Sequence, residues 1–315
     1  MSLSEIPLSV WRRHGQTFLF QGHAIRYWTA GKGEPLLLIH GFPSASWSWH
    51  YLWRPLSQRY KVIACDMLGF GDSAKPVDHA YSLLEQADLQ EALLEWLDIK
   101  GPVHLLGHDY GDSVAQELIA RHQQGGRRVA SCMFLNGGLF PECHRELWVQ
   151  RLLRSPLGWW VSRGFTRDAL WQSVRQIYGP NTQPSESELD DVWSLITCNS
   201  GKRVMHKVAR YVDERKVHRD RWVKAMQGAG IPMRLIDGAL DPISGKHLVQ
   251  RYCELMPHAD TVLLEGVGHS PQTEAPQRVL RHYEDFRRKI TPCVISLDAV
   301  RAARAVALGA VETRA

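Results

Sequence analysis

Short unbroken apolar runs alternate along this chain with helical stripes. Leu36-Leu37-Leu38-Ile39 and Val62-Ile63-Ala64-Cys65 are too short for helices. They are too apolar for strands with one wet face, so they read as strands buried on both faces of a parallel sheet. Residues 103–106, 132–135, 233–236 and 261–264 read as further strands. Between them, 81–98 carries Leu89, Ala92, Leu93, Trp96 and Leu97 on one helical stripe. Further helices are predicted over about 111–122 and over 276–290, the latter burying Val279, Leu280, Tyr283, Phe286 and Ile290. Near the start, 18–20 and 25–28 flank a Gln21-Gly22-His23 turn and read as a hairpin. Strands alternating with helices predict an α/β fold, a mostly parallel central sheet flanked by helices.

The alternation breaks in the middle. From about 140 to 222 the pattern is helical without a convincing strand, and it holds Trp148, Trp159, Trp160, Trp171, Trp193 and Trp222, half of the twelve tryptophans. The expected organisation is a core of 1–139 and 223–291 with an inserted helical cap (lid) at 140–222. Such an insertion can wall an apolar pocket, and Trp148 is expected to face the substrate there. Its tryptophans can equally pack the insertion's own interior. The alanine-rich tail at 292–315 has no aromatic residue and is expected to be loose or disordered, with no function assigned.

Composition narrows the class. The chain has 315 residues, 44% hydrophobic and 23% charged, as in ordinary globular proteins. No apolar run approaches the ~18 residues of a membrane span. Trp11-Arg12-Arg13-His14 stands where a secretory signal would need apolar residues, which favours a cytoplasmic location. The six cysteines include no C-x-x-C pair, so reduced and mostly buried thiols are expected rather than a disulfide framework or zinc site. The net charge of +5 is dispersed and accompanies no nucleic-acid motif.

The chemistry concentrates in three places. Gly107-His108-Asp109-Tyr110-Gly111 lies between a buried strand and a helix, the setting of a nucleophile elbow. Flanking glycines permit the sharp turn, and the helix N-terminus favours an anion. A central aspartate is ionised at neutral pH and attacks without a base, suited to a strained ring or a good leaving group on sp³ carbon. An ordinary turn with Asp109 as helix cap would use the same residues. Asp241 follows the 233–236 strand and His269 follows the 261–264 strand. The order nucleophile, acid, histidine at carboxyl ends of strands gives a catalytic triad, with Asp237 as the rival acid. His40-Gly41-Phe42-Pro43 follows the first core strand. The backbone N–H groups of Phe42 and Tyr110 are expected to form an oxyanion hole. His40 is taken as a substrate contact, although His40 and Pro43 would also serve simply to shape the turn. His104 and His108 lack an evident third ligand, so no metal is expected, and no cofactor.

Together these motifs resemble the epoxide hydrolase and haloalkane dehalogenase branch of the α/β-hydrolases, over about residues 15–290. The chain resembles still more closely the mesoderm-specific transcript protein group. That resemblance rests on His108-Asp109-Tyr110-Gly111-Asp112 with Val114-Ala115-Gln116-Glu117-Leu118, on Asn136-Gly137-Gly138 with Phe140-Pro141-Glu142, and on Pro184-Ser185-Glu186-Ser187-Glu188-Leu189. It implies a hydrolase without naming a substrate. Dehalogenases of the branch usually carry Trp after the nucleophile and often Asn at the Phe42 position. Fluoroacetate dehalogenases carry Arg at the positions of Tyr110 and Ser113. Epoxide hydrolases carry His-Gly-Phe-Pro and two lid tyrosines, which implies Tyr211 and, by lid position only, Tyr178. Asp112 departs from the usual glycine. A second carboxylate there would raise the proton affinity of Asp109, or would only cap the helix.

The resemblance implies hydrolysis of a small apolar epoxide to a diol. Asp109 forms an ester, Tyr211 and Tyr178 protonate the departing oxygen, and His269, oriented by Asp241, activates water. The alternatives are a haloalkane dehalogenase with the same triad, a serine-type esterase, for which no G-x-S-x-G elbow stands at the right place, and a non-catalytic binding protein on this fold.

Overall fold

A computed structural model describes residues 3–290. The tail expected at 292–315, with Cys293, lies outside the described residues. An eight-stranded sheet runs β1 (Gln16–Phe20), β2 (His23–Ala30), β3 (Pro35–Ile39), β4 (Lys61–Cys65), β5 (Val103–His108), β6 (Val129–Leu135), β7 (Met233–Gly238) and β8 (Thr261–Leu264). Its spatial order is β1-β2-β4-β3-β5-β6-β7-β8. The two contacts of β2 are antiparallel and the rest are parallel. The predicted hairpin forms, with Gln21 and Gly22 both at positive φ, the geometry that matches strand twist in a two-residue turn.

The helices are α1 (Leu8–His14), α2 (His50–Ser57), α3 (Leu83–Trp96), α4 (Tyr110–Gln123), α5 (Trp148–Arg154), α6 (Gly158–Gly164), α7 (Arg167–Ile177), α8 (Glu186–Thr197), α9 (Met205–Val208), α10 (Tyr211–Gly228), α11 (Lys246–Leu255), α12 (Pro271–Glu274) and α13 (Pro276–Ile290). All four residues 36–39 are buried, as the unbroken apolar run requires of a strand covered on both faces. Leu37, Ile39, Leu105, Phe134 and Leu235 join one large core with Leu89 and Leu93 of α3 and Val114 and Leu118 of α4. Helices α1, α2 and α11 were not predicted. Pro55 inside α2 and the mixed polarity of α1 blur the helical period there. No described helix is long and apolar enough to cross a membrane.

Six helices, α5–α10, intervene between β6 and β7, with no strand among them. Their own small core is Val149, Leu153, Phe165, Leu170, Ile196, Met205 and Ala209. It is built mainly from aliphatic residues. Trp148, Trp159 and Trp160 stay exposed instead of filling it. The expected 222/223 junction falls within the single helix α10. Trp222 there donates to Glu117 of α4 at 2.8 Å, and Arg221 reaches the same carboxylate at 2.9 Å. Of the described cysteines, Cys65 and Cys132 are buried, Cys143 and Cys198 partly so, and Cys253 is exposed.

The β5–α4 junction is tightly packed against the sheet's carboxyl edge. A Cβ on Gly111 would stand 2.1 Å from the Ile39 carbonyl oxygen, and one on Gly107 would stand 2.3 Å from Asp112 Oδ1. At Gly111 the facing atom is backbone and cannot yield without shifting β3. Gly111→Ala is therefore expected to cost ~3 kcal/mol, the upper range for overpacking, read as a lower urea midpoint at unchanged slope.

Candidate active site

Asp109 sits at the turn between β5 and α4 with φ 48° and ψ −105°. This is a left-handed backbone that a non-glycine residue adopts only where surrounding structure holds it. Its N–H donates to Leu135 O at 3.1 Å. The side chain is 3% exposed, and carboxylate Oδ2 accepts the Phe42 backbone N–H at 3.1 Å. The loop after β3 thus aims one of the two expected N–H donors at this carboxylate.

On the other side, Asp241 Oδ2 lies 2.8 Å from His269 Nδ1. Asp241 is clamped further by the N–H groups of Ile243 and Ser244, the Ser244 hydroxyl and the Asn136 amide. Burial alone would push this carboxyl up. The His269 charge and hydrogen bond, then the Ile243 N–H and Asn136, outweigh it and bring it to about 2. His269 shows the converse. Burial would lower its pKa, but Asp241, and after it Asp109, raise it to about 9. The rival acid Asp237 instead accepts the Asn136 N–H. Burial first, then the Asp241 charge, keep it protonated well above the carboxylate range.

Sequence reasoning missed the residue that holds Asp109 most directly. Arg215, one turn after Tyr211 on α10, is 1% exposed. Its Nη2 donates to the Asp109 carbonyl at 2.8 Å and to Oδ1 at 3.3 Å, and its Nε donates to Ser113 Oγ at 2.7 Å. Burial would raise Asp109. Arg215 foremost, with His269, holds it below the ordinary value. Asp112 therefore does not lift Asp109. It is Asp112 whose proton affinity is raised, by burial first and then by the Asp237 and Asp109 charges. Asn136-Gly137-Gly138 explains itself here. A Cβ on Gly137 would stand 2.1 Å from Asp112 Oδ2, and one on Gly138 would stand 2.3 Å from Arg215 Nη1. The i,i+4 spacing of Tyr211 and Arg215 was the available signal, since it puts both on one helix face.

A cavity of about 290 Å³ opens beside these groups, with Phe42, His108, Tyr178, His269 and Ser270 among its walls. Neither Asp109 nor Tyr211 is a wall. Tyr211 lies beneath, its ring 4.8 Å from Tyr110 and 5.7 Å from Phe42, with Arg215 4.5 Å over it. Its buried hydroxyl has no hydrogen-bond partner, nor has Arg215 Nη1. Burial, then Asp109, raises its pKa. Tyr178 reaches the cavity and shares a hydrogen bond with Thr273 Oγ1 at 3.1 Å.

Two expected substrate contacts are corrected. His40 is fully buried, with Nδ1 3.0 Å from Gly41 O and Nε2 accepting the Met67 N–H at 3.1 Å. Both ring nitrogens are spent on loop shape, so none is left for substrate. Trp148 is 53% exposed on the outside of α5 and is not a cavity wall, because Val149 and Leu153 take the inward stripe.

Comparison with known proteins agrees with this architecture. A profile described as the alpha/beta hydrolase family matches residues 36–282. The mesoderm-specific transcript protein of Mus musculus is 38% identical over 295 residues, covering 89% of this chain and 87% of that one. The cis-3-alkyl-4-alkyloxetan-2-one decarboxylase of Shewanella oneidensis is 27% identical over 281 residues, covering 84% and 85%. The solved epoxide hydrolase CorEH superposes with a TM-score of 0.74 at 21% identity, covering 88% of this chain and 99% of that one.

The His269 pKa carries a stability consequence. A histidine raised from 6.5 to about 9 on folding stabilises the fold fully below pH 6.5, and that contribution is lost as pH rises through 9. Thermal unfolding of the native sequence is expected to weaken across this window. His269→Gln should flatten the profile there, and an equal decline in both would refute the assignment.

Proposed function

The chain belongs to the alpha/beta hydrolase family, and from that premise we propose that it is a hydrolase with Asp109 as nucleophile, acting on an epoxide to give a diol. One observation carries the reading. Asp109 Oδ2 accepts a backbone N–H at a strained turn, while an imidazole locked onto a buried acid stands on the cavity wall beside it. The helical insertion 140–222 acts in this reading as the cap over a small apolar substrate, and the location is cytoplasmic.

Chemistry proceeds in two steps. Asp109 Oδ1 attacks an epoxide carbon, for which the substrate must displace the 3.3 Å contact from Arg215. A bond this long is at the weak end of hydrogen bonding, so the displacement is affordable. Tyr211, whose hydroxyl is free of other partners, protonates the ring oxygen, and Tyr178 assists from the cavity. Esterification removes the Asp109 negative charge, one of the charges that raise His269. The imidazole then holds its own proton less tightly, so more of it is neutral and able to take a proton from water. Phe42 N–H, with Tyr110 N–H, holds the oxyanion as the ester is cleaved.

The free Nη1 of Arg215 favours a second reading. A four-membered lactone opened at its sp³ carbon departs as a carboxylate, which a guanidinium receives without proton transfer. The Shewanella relative is named for such an oxetan-2-one. Diol formation from an epoxide decides for the first reading, and turnover of a β-lactone alone decides for the second. A dehalogenase is less well served, because Tyr110 offers no indole N–H to a halide. Tight ligand binding without turnover of any of these substrates would leave a binding protein.

In heavy-oxygen water over a single turnover, label is expected in Asp109 before it reaches product. An unlabelled Asp109 would remove it from the nucleophile role. His269→Gln is expected to accumulate the ester, visible as a covalent mass increase on the intact chain, with overall turnover reduced at least ~10²-fold.

A further inference from the structure

The cavity wall opposite the triad carries a second group of residues that hydrolysis does not use. His50 is the first residue of α2, Glu188 stands in the first turn of α8, and Glu5 precedes α1. One donor atom of each lies within 4.8 Å of the other two. His50 and Glu188 are also cavity walls.

His50 is the informative member. It is 2% exposed, and its Nδ1 lies 2.7 Å from the Trp47 carbonyl oxygen. A carbonyl only accepts, so Nδ1 holds the proton and Nε2 presents a lone pair. That Nε2 is buried without a hydrogen-bond partner and faces Glu188 Oε1 at 3.9 Å. Stacking on Trp47 and packing against Tyr51, with ring centroids 4.2 Å away in each case, fix the ring. An imidazole fixed through a carbonyl on one nitrogen, with the other left open, is the arrangement that metal-ligating histidines use.

The carboxylates are equally prepared. Glu188 Oε2 accepts the Ser185 N–H and hydroxyl at 2.8 and 2.9 Å, and Oε1 accepts the Tyr51 hydroxyl at 3.0 Å. This leaves Oε1 a further lone pair. Glu5 brings a second carboxylate to the same point, with Asp191 nearby. Arg12, the cation that acts on Asp191, is already engaged by Asp72 at 2.8 Å. Negative charge thus gathers round an open imidazole nitrogen.

We propose that Glu5, His50 and Glu188 form a divalent transition-metal site, taking zinc, manganese or cobalt through one imidazole nitrogen and two carboxylates. A nitrogen donor selects these ions over magnesium and calcium, which prefer all-oxygen shells. Three protein ligands leave positions for water. The site joins α8 of the helical insertion to α2 and the N-terminal segment across the cavity. The cation therefore ties the insertion to the core and governs entry to the cavity, and the triad chemistry proceeds without it.

The test uses the full chain, stripped with chelator and titrated calorimetrically with zinc and with manganese. Binding near one ion per chain in the micromolar range is expected, with a rise in Tm. Glu5→Gln, at an exposed position, should weaken binding at least tenfold while leaving the metal-free Tm unchanged. His50→Gln should abolish the saturable site. Cobalt should give visible d–d bands without the near-ultraviolet charge transfer of thiolate ligation, which separates this site from the cysteines. No binding below millimolar, binding unaffected by both variants, or a thiolate signature would each overturn the proposal.

Discussion

A buried negative charge at a strained turn is the constraint around which this molecule is arranged. Asp109 is almost wholly out of water, and an isolated carboxylate there would be costly enough to stay protonated. Three separate parts of the chain offset that cost. The loop after β3 supplies the Phe42 N–H, α10 supplies Arg215, and the loop after β8 supplies His269. At two neighbouring carboxyls, Asp112 and Asp237, burial and the charges of nearby carboxylates outweigh the partners that reach them and raise their proton affinity. The local rule is thus that charge survives only where its partners outweigh burial. Of the buried acids near the sheet edge, Asp109 and Asp241 are held ionised.

Much of this was legible in the sequence, because local patterns encode it. Both-face burial of β3 and β4 followed from four apolar residues in a row, and the hairpin followed from Gln21-Gly22. The order of Asp109, Asp241 and His269 at strand ends located the site. The choice of Asp241 over Asp237 needed only its place beyond the Gly238 turn. What escaped was carried by long-range contact. Arg215 is 106 positions from Asp109, and its only local signal is the i,i+4 spacing from Tyr211 within a run of charged residues. Gly137 and Gly138 looked like a family string until the Asp112 carboxyl and the Arg215 guanidinium were seen filling the space their missing side chains leave. His40 misled because its ring is as polar as a ligand yet is consumed by its own loop. Trp148 misled because a tryptophan in a helical insertion suggests an inward face, whereas the smaller Val149 takes it.

The expectation of no metal rested on the strand histidines His104 and His108, of which one ring nitrogen each lies against Ser131 and the His269 carbonyl. The candidate ligands lie elsewhere, gathered from the N-terminal segment, α2 and α8. No spacing rule on one element could have assembled them.

Helix α10 has a mechanical consequence. Its first half places Tyr211 and Arg215 beside Asp109, and its second half is bolted to α4 through Trp222, Arg221 and Glu117. Since α4 begins at the residue after Asp109, the roof beam and the floor of the site share one foundation. A rod fixed at both ends cannot swing aside like a door. The two anchors of α10 hold the Arg215 guanidinium in register with Asp109.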